Sequence, residues 1–276
     1  MKRKIPLFFL SLLFLSMTIY ASVSLLSTEK EYEKGEEVYE SFSQYIEVPE
    51  KPAMVAEPPA SPAAEAETTD MPPPAEEAEE ETTDWPVVDF EALCSVNPDV
   101  VGWIYLEGTV INYPLLQGYD NNQYLHRMVD GTVNTAGSIF MDYRNQPDFS
   151  DRNTILYGHH MQNKTMFAPI ANYKEQSFYD EHPVALLLTP EGNYRVEFFA
   201  GYVANLNDEA WKLIFASEEE FGAWQERAVE ASTFQSTVTP MPEDCVLTLS
   251  TCSYEFEEAK FVVHGYIAER EENTDE

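Results

Sequence analysis

Residues 5–26 form a run that is apolar except for single Ser, Thr and Pro interruptions, and it sits directly behind Lys2, Arg3 and Lys4. A stretch this long constrains the chain more than any other feature. In hydrocarbon a backbone must satisfy its own polar groups, which a lone segment does only as a helix. Twenty-two helical residues at about 1.5 Å each reach roughly 33 Å, slightly more than a bilayer core of about 30 Å. A cleavable signal peptide is the competing reading, but its apolar region is usually only ~7–15 residues. Tyr20-Ala21-Ser22-Val23-Ser24 is also a poor cleavage site. Residues 1–27 are therefore expected to be an uncleaved single-pass anchor. The basic cluster keeps the N-terminus cytoplasmic and puts the rest of the chain outside the cell membrane.

Residues 28–86 change character. An acidic, helix-compatible stretch to about residue 46 gives way to a segment, 47–86, with nine of the chain's 18 prolines and twelve acidic residues against Lys51 alone. Glu67-Thr68-Thr69-Asp70 recurs as Glu81-Thr82-Thr83-Asp84. Such a composition buries too little apolar surface to offset its ordering entropy, and like charges keep it extended. The expectation is a solvated extracytoplasmic stalk. The whole chain carries a formal charge of −33, which repels phosphate backbones and argues against nucleic-acid binding. Residues 271–276 form a short acidic tail.

From 87 to 270 the pattern is globular. Short β-rich runs are expected at 100–105, 110–113, 138–141, 154–157, 184–188, 194–203, 246–251 and 261–267. Pro190-Glu191-Gly192-Asn193 is a strong hairpin signal. Helical spacing appears at 89–97, 121–128, 166–173 and 217–231. Many short strands with few helices predict a mainly β domain, a compact barrel with helical decorations.

The three cysteines contain no Cys-x-x-Cys pair, which excludes a thiolate zinc site and a disulfide-stapled fold. Cys245 and Cys252 bracket one strand. Seven extended steps separate them by about 23 Å, far beyond the roughly 7 Å that a disulfide allows. Cys94 lies on an apolar helical face and reads as an inert thiol. Cys252 ends a strand and faces a polar loop, where a nucleophile would be mounted. A working thiol needs an imidazole or cationic neighbour. His126 and His182 have polar, surface-like contexts, and His264 lies inside the last strand as a packed core residue. His159 and His160 follow a strand end and Gly158, so they are the candidates to meet Cys252.

Thr248-Leu249-Ser250-Thr251-Cys252, with Ile155-Leu156-Tyr157-Gly158-His159-His160-Met161, resembles the active-site signature of sortases, closely the class B branch. Further matches are Asp99-Val100-Val101-Gly102-Trp103-Ile104, Ile111-Asn112-Tyr113-Pro114 and Tyr124-Leu125-His126. Gly137-Ser138-Ile139-Phe140-Met141-Asp142-Tyr143-Arg144 and Ser253-Tyr254-Glu255-Phe256 complete them. The resemblance spans 87–270. It implies an eight-stranded sortase β-barrel with N-terminal helices and a long helix, 217–231, before the cysteine strand.

It also implies cysteine transpeptidation. Cys252 attacks the Thr carbonyl of a sorting signal resembling Asn-Pro-x-Thr-x on a secreted protein, and His159 protonates the leaving amine. An amine of a peptidoglycan precursor or cross-bridge, or a pilin lysine, then resolves the thioacyl enzyme. This chemistry needs neither metal nor organic cofactor. By position Asn121 and Leu125 match groove residues, and Tyr157, Ser250 and Thr251 match residues beside the catalytic pair.

One position departs from the pattern. Sortases generally carry an arginine at the start of the last strand, poised over the developing oxyanion, and Lys260 stands there. Lysine keeps the charge and loses the planar fork of donors. Weakened activity is one expectation. A degenerate sortase that binds sorting signals or pilins without joining them is the alternative. Arg144, Arg152 and Arg195 would substitute only by folding back toward the site.

Overall fold

The computed structural model describes residues 7–49, 85–205, 207–253, 255 and 258–268. The expected Pro-rich segment and acidic tail therefore lie outside the described residues, apart from the segment's two ends. Helix α1 runs without a break over Leu7–Phe42, and a 3-10 turn, Ser43–Tyr45, leads into β1, Ile46–Glu47. The chain returns as β2, Val87–Val88, which pairs antiparallel with β1 through Ile46↔Val88 and Glu47↔Val87. Helix α2, Phe90–Val96, follows, its first turn capped by Asp89, whose carboxylate accepts from Ala92 N.

The remaining strands are β3 (Val100–Tyr105), β4 (Asn112–Gln117), β5 (Ile139–Met141), β6 (Asn153–Tyr157), β7 (Val184–Thr189), β8 (Gly192–Ala204), β9 (Cys245–Cys252) and β10 (Lys260–Ile267). They close into a barrel in the order β10-β8-β7-β3-β4-β5-β6-β9. This is the eight-stranded, mainly β architecture expected from the sequence. Helix α4, Glu218–Ala231, is the long helix before the cysteine strand. Its cap is Ser217, whose hydroxyl accepts from Glu220 N.

Period-two alternation divides the barrel's side chains between two environments. Ile104, Leu115, Leu156, Phe198, Leu249 and Phe261 point inward and are wholly buried together. Each such side chain contributes about 1.5–3 kcal/mol relative to exposure. The outer face is covered in two patches. Phe42, Ile46 and Leu93 pack on Val100, Trp103 and Leu188, while Phe221, Trp224 and Ala228 of α4 pack on Phe199 and Val246. Among the described residues, the outer face between the patches carries Cys252, Lys260 and the cavity that they line.

One local expectation fails, and one element went unforeseen. Residues 121–128 are a series of turns rather than a helix. The Asp120 carboxylate accepts from the backbone N–H groups of Asn122 and Gln123, at 2.9 Å each, and so offers this segment an alternative to helical pairing. Gly137 presses against it from the other side, with φ +57. A Cβ there would sit 2.3 Å from the Leu125 carbonyl oxygen. The other miss is α3, Gln176–Glu181, a short helix with no clear sequence signal.

Candidate active site

Strand β6 lies parallel to β9, in the register Thr154↔Leu247 to Tyr157↔Ser250. Parallel pairing brings both strands' C-terminal ends to the same edge, and the pairing continues past it. Gly158 N donates to Ser250 O at 3.1 Å, and Thr251 Oγ1 donates to Gly158 O at 2.9 Å. His160 Nδ1 donates to the Cys252 carbonyl at 3.0 Å. His159 and Cys252 thus leave adjacent strand ends side by side. Gly158 is needed at this junction because a Cβ would meet Ile139 and Phe167 at 2.5–2.6 Å.

From the opposite side β10 pairs antiparallel with β9 and sets Lys260 directly across from Cys252. The Lys260 ammonium donates to Cys252 Sγ at 3.1 Å. One cavity of about 280 Å³ is lined by Asn121, Leu125, Tyr157, His159, Ser250, Thr251, Cys252 and Lys260, together with Phe140 and Gly158. All eight catalytic and groove residues that the resemblance implies border it, and of the two adjacent histidines it is His159 that does.

His159 is held by the segment that is not a helix. Its Nε2–H donates to the Leu125 carbonyl at 2.7 Å, which leaves Nδ1 as the basic nitrogen of the neutral ring. A helical turn would have spent that carbonyl on an amide four residues on. The His126 ring stacks on His159 at 5.4 Å between centroids, with 12° between planes. Burial pulls the His159 imidazole below its ordinary range. The Leu125 hydrogen bond opposes this, and the His126 and Lys260 charges reinforce it.

Two more side chains shape the wall. Asp142 is fully buried, and its carboxylate takes a two-pronged contact from Arg144 at 2.8 and 2.7 Å. It also accepts from Asn121 Nδ2 and from the Tyr157 hydroxyl, at 3.0 Å each. Burial works to raise its pKa, but those hydrogen bonds outweigh it and hold the carboxyl below its usual range. Asn121 and Tyr157 are thereby fixed in orientation. Ser250 accepts from Trp211 Nε1 at 3.1 Å, and the Thr251 hydroxyl is committed to Gly158, so both serve the wall from within.

The arginines considered as substitutes for Lys260 are engaged elsewhere. Arg144 is held by Asp142, Arg152 by the carbonyls of Pro242 and Glu243 at 2.9 Å, and Arg195 lies 3.9 Å from Glu197. Sequence reasoning missed His126 and Asp142. His126 has only a polar context in the chain, and Asp142 acts through residues 15 and 21 positions away.

The sequence model of the Sortase domain matches residues 104–268. The chain belongs to the sortase family. Sortase B of Staphylococcus aureus is 37% identical over 169 residues, 61% of this chain and 69% of that protein. Sortase B of Listeria monocytogenes is 37% identical over 175 residues, 63% and 71% respectively. Among solved structures, S. aureus sortase B superposes with a TM-score of 0.62 at 36% identity, over 65% of this chain and 86% of that one. Clostridium perfringens sortase B does so with a TM-score of 0.62 at 33% identity, over 65% and 100%. The chain is thus a class B sortase, a cysteine transpeptidase built on the closed eight-stranded barrel.

Proposed function

We propose that Cys252 is the nucleophile of this sortase, His159 its general acid and base, and Lys260 the cation that stabilises the developing oxyanion. The observation carrying this reading is the 3.1 Å contact between Lys260 Nζ and Cys252 Sγ in a cavity that His159 also borders. A cation within hydrogen-bond reach is the setting in which cysteine acts as a nucleophile. His159, neutral because it is largely buried, takes the thiol proton. The sulfur attacks the Thr carbonyl carbon of a sorting signal resembling Asn-Pro-x-Thr-x, and Lys260 donates to the resulting oxyanion. The C–N bond then breaks as His159 returns the proton to the leaving amine. An acceptor amine, from peptidoglycan or from another protein's lysine, attacks the thioester carbonyl and gives its proton to His159; the C–S bond then breaks, and His159 returns the proton to the released Cys252 sulfur.

Sorting-signal chemistry of this kind fits a relative captured as a "sortase B-substrate complex". Helix α1 carries a stretch long and apolar enough to cross a membrane, none of it buried within the protein. We read it as the anchor of a single-pass protein whose barrel lies outside the cell.

The alternative is a barrel that binds sorting signals without joining them, and the observation favouring it is lysine where the family carries arginine. Intact-mass detection of a thioester adduct with a Thr-containing peptide, in the native protein and in Lys260→Arg, separates the two. Transpeptidation requires an adduct on Cys252 and its transfer to an added amine. Peptide binding with no adduct in either form would establish the binding module.

A further inference from the structure

The sequence suggests a chain of three parts in series: anchor, acidic Pro-rich spacer, enzyme. The described residues connect them differently. Helix α1 continues past the apolar run without interruption to Phe42, and its second half lies against the barrel. The first anchoring contact is at Glu31, whose backbone carbonyl accepts from Asn134 Nδ2 at 2.8 Å and whose carboxylate accepts from Thr135 N at 3.1 Å. Glu31 lies five positions beyond the end of the apolar run at Leu26, about 8 Å of helix. Glu36 accepts from Asn163 Nδ2 at 2.7 Å, and the Tyr39 hydroxyl donates to Gly137 O at 2.5 Å. Tyr39 meets Tyr113 edge-on at 5.1 Å. Phe42 and Ile46 are buried against the outer face of the barrel.

The acidic segment begins and ends at one place. Ile46 and Glu47 pair with Val88 and Val87, so the residues flanking 48–86 are held at a cross-strand distance of about 5 Å. A Pro-rich chain of that length would span on the order of 120 Å if it stood in line between membrane and enzyme. With its ends paired it spans nothing.

We propose that α1 is a rigid strut carrying the catalytic barrel at a fixed height above the bilayer, and that the connection from membrane to enzyme runs through α1 rather than through residues 48–86. The strut grips the wall of the active site itself. Gly137, whose carbonyl Tyr39 holds, packs on the Leu125 carbonyl that orients His159. The cleft therefore meets substrates presented at one distance from the membrane. This proposal rests on reading the apolar run as the anchor.

The test uses the full chain in phosphatidylcholine–phosphatidylglycerol vesicles with acceptor-labelled lipid and a donor dye at exposed Glu191. In one variant residues 50–84 are replaced by a short Gly-Asn-Gly link; in a second, ten Gly and Ser residues are inserted after Ser27. The strut predicts that the replacement leaves energy transfer unchanged and that the insertion shifts and broadens it. A replacement that brings the barrel down to the lipid, or an insertion without effect, overturns the strut. If the replacement variant fails to fold by circular dichroism, the insertion alone decides. Failure of the native chain to float with vesicles overturns both anchor and strut, whereas floating with a replacement-sensitive height overturns the strut and leaves the anchor standing.

Discussion

Two cross-strand pairs of the β9–β10 ladder, one at its middle and one at its end, present the same geometry and have opposite fates. On one face Thr248 lies across from His264, Ser250 across from Val262 and Cys252 across from Lys260. At the middle the pair is sealed. Asn153 Nδ2 donates to the Lys212 carbonyl at 2.9 Å, which turns its Oδ1 toward Thr248. The Thr248 hydroxyl donates to that oxygen at 2.6 Å and accepts from His264 Nδ1–H at 2.8 Å. His264 Nε2 then accepts from the Tyr202 hydroxyl at 3.2 Å, and Trp224 closes over the ring edge-on at 5.0 Å. At the end pair, among the described residues, a cysteine and a lysine look into a cavity. Each histidine's tautomer is set by its partners: Nδ1–H for sealed His264 and Nε2–H for His159. What differs is the lid. A fully satisfied, covered histidine is structural, and one bordering an open cavity is available for proton transfer.

If this contrast is right, substitutions at the open end change chemistry and spare stability. The largest effect is expected for Cys252→Ala, which removes every thioester adduct from intact-mass spectra while leaving the melting temperature nearly unchanged. His159→Ala follows, with single-turnover acylation falling by about 10³ as general acid–base assistance is lost. Lys260→Met is expected to slow acylation by about 10²–10³, the usual consequence of losing one oxyanion donor, with Lys260→Arg close to native or faster. Equal rates for Lys260→Met and the native protein would break the assignment of Lys260.

At the sealed middle pair the expectation reverses. Burial alone lowers the His264 pKa to about 3, against an ordinary value of 6.5. Between these values the unfolded chain binds a proton that the folded chain refuses. Stability is therefore complete above pH 6.5 and is lost progressively as pH falls toward 3, by roughly 5 kcal/mol in all. His264→Gln should flatten that slope in acid denaturation. Thr248→Val, which orphans the buried Nδ1–H, should cost about 1–3 kcal/mol at neutral pH. Neither should alter acylation at pH 7 once the protein is folded. A slowed acylation in folded Thr248→Val would mean that the middle and end pairs communicate through the strands.

What was legible follows a physical division. Cys252 and His159 follow strand ends where a buried run turns polar, a local pattern that made them candidates, whereas Lys260 was reached only through the resemblance to sortases. The central packing of His264 was legible for the same reason, since it interrupts an apolar run. Residues 121–128 misled because Tyr124, Leu125 and Met128 have helical spacing, while Asp120's side chain and the approach of Gly137 decide the backbone. One cue is local and the other comes from far along the chain. Helicity near residues 28–46 could be read, but not the docking of Tyr32, Tyr39 and Phe42, because acidic neighbours hide that face. The β1–β2 pairing had no signal at all, being two residues on each side of a long polar segment.

The smallest expected effect concerns His126, exposed yet stacked on His159. After burial, its charge is among the influences that hold the His159 pKa down. Removing that charge lets the His159 pKa rise, so a larger fraction of the base is already protonated at mildly acidic pH. The acid limb of kcat/KM should then move to higher pH. His126→Phe, which keeps an aromatic ring on the imidazole, should show that shift with little loss on the plateau. His126→Ala should show the same shift and also lose about two- to fivefold on the plateau, as His159 loses its lateral support. Identical profiles for the two variants would mean that charge is His126's whole contribution, and an unmoved acid limb in both would reduce the stack to packing. Either result sharpens the contrast with His264, whose neighbours fix it by hydrogen bonds rather than by a ring that solvent can reach.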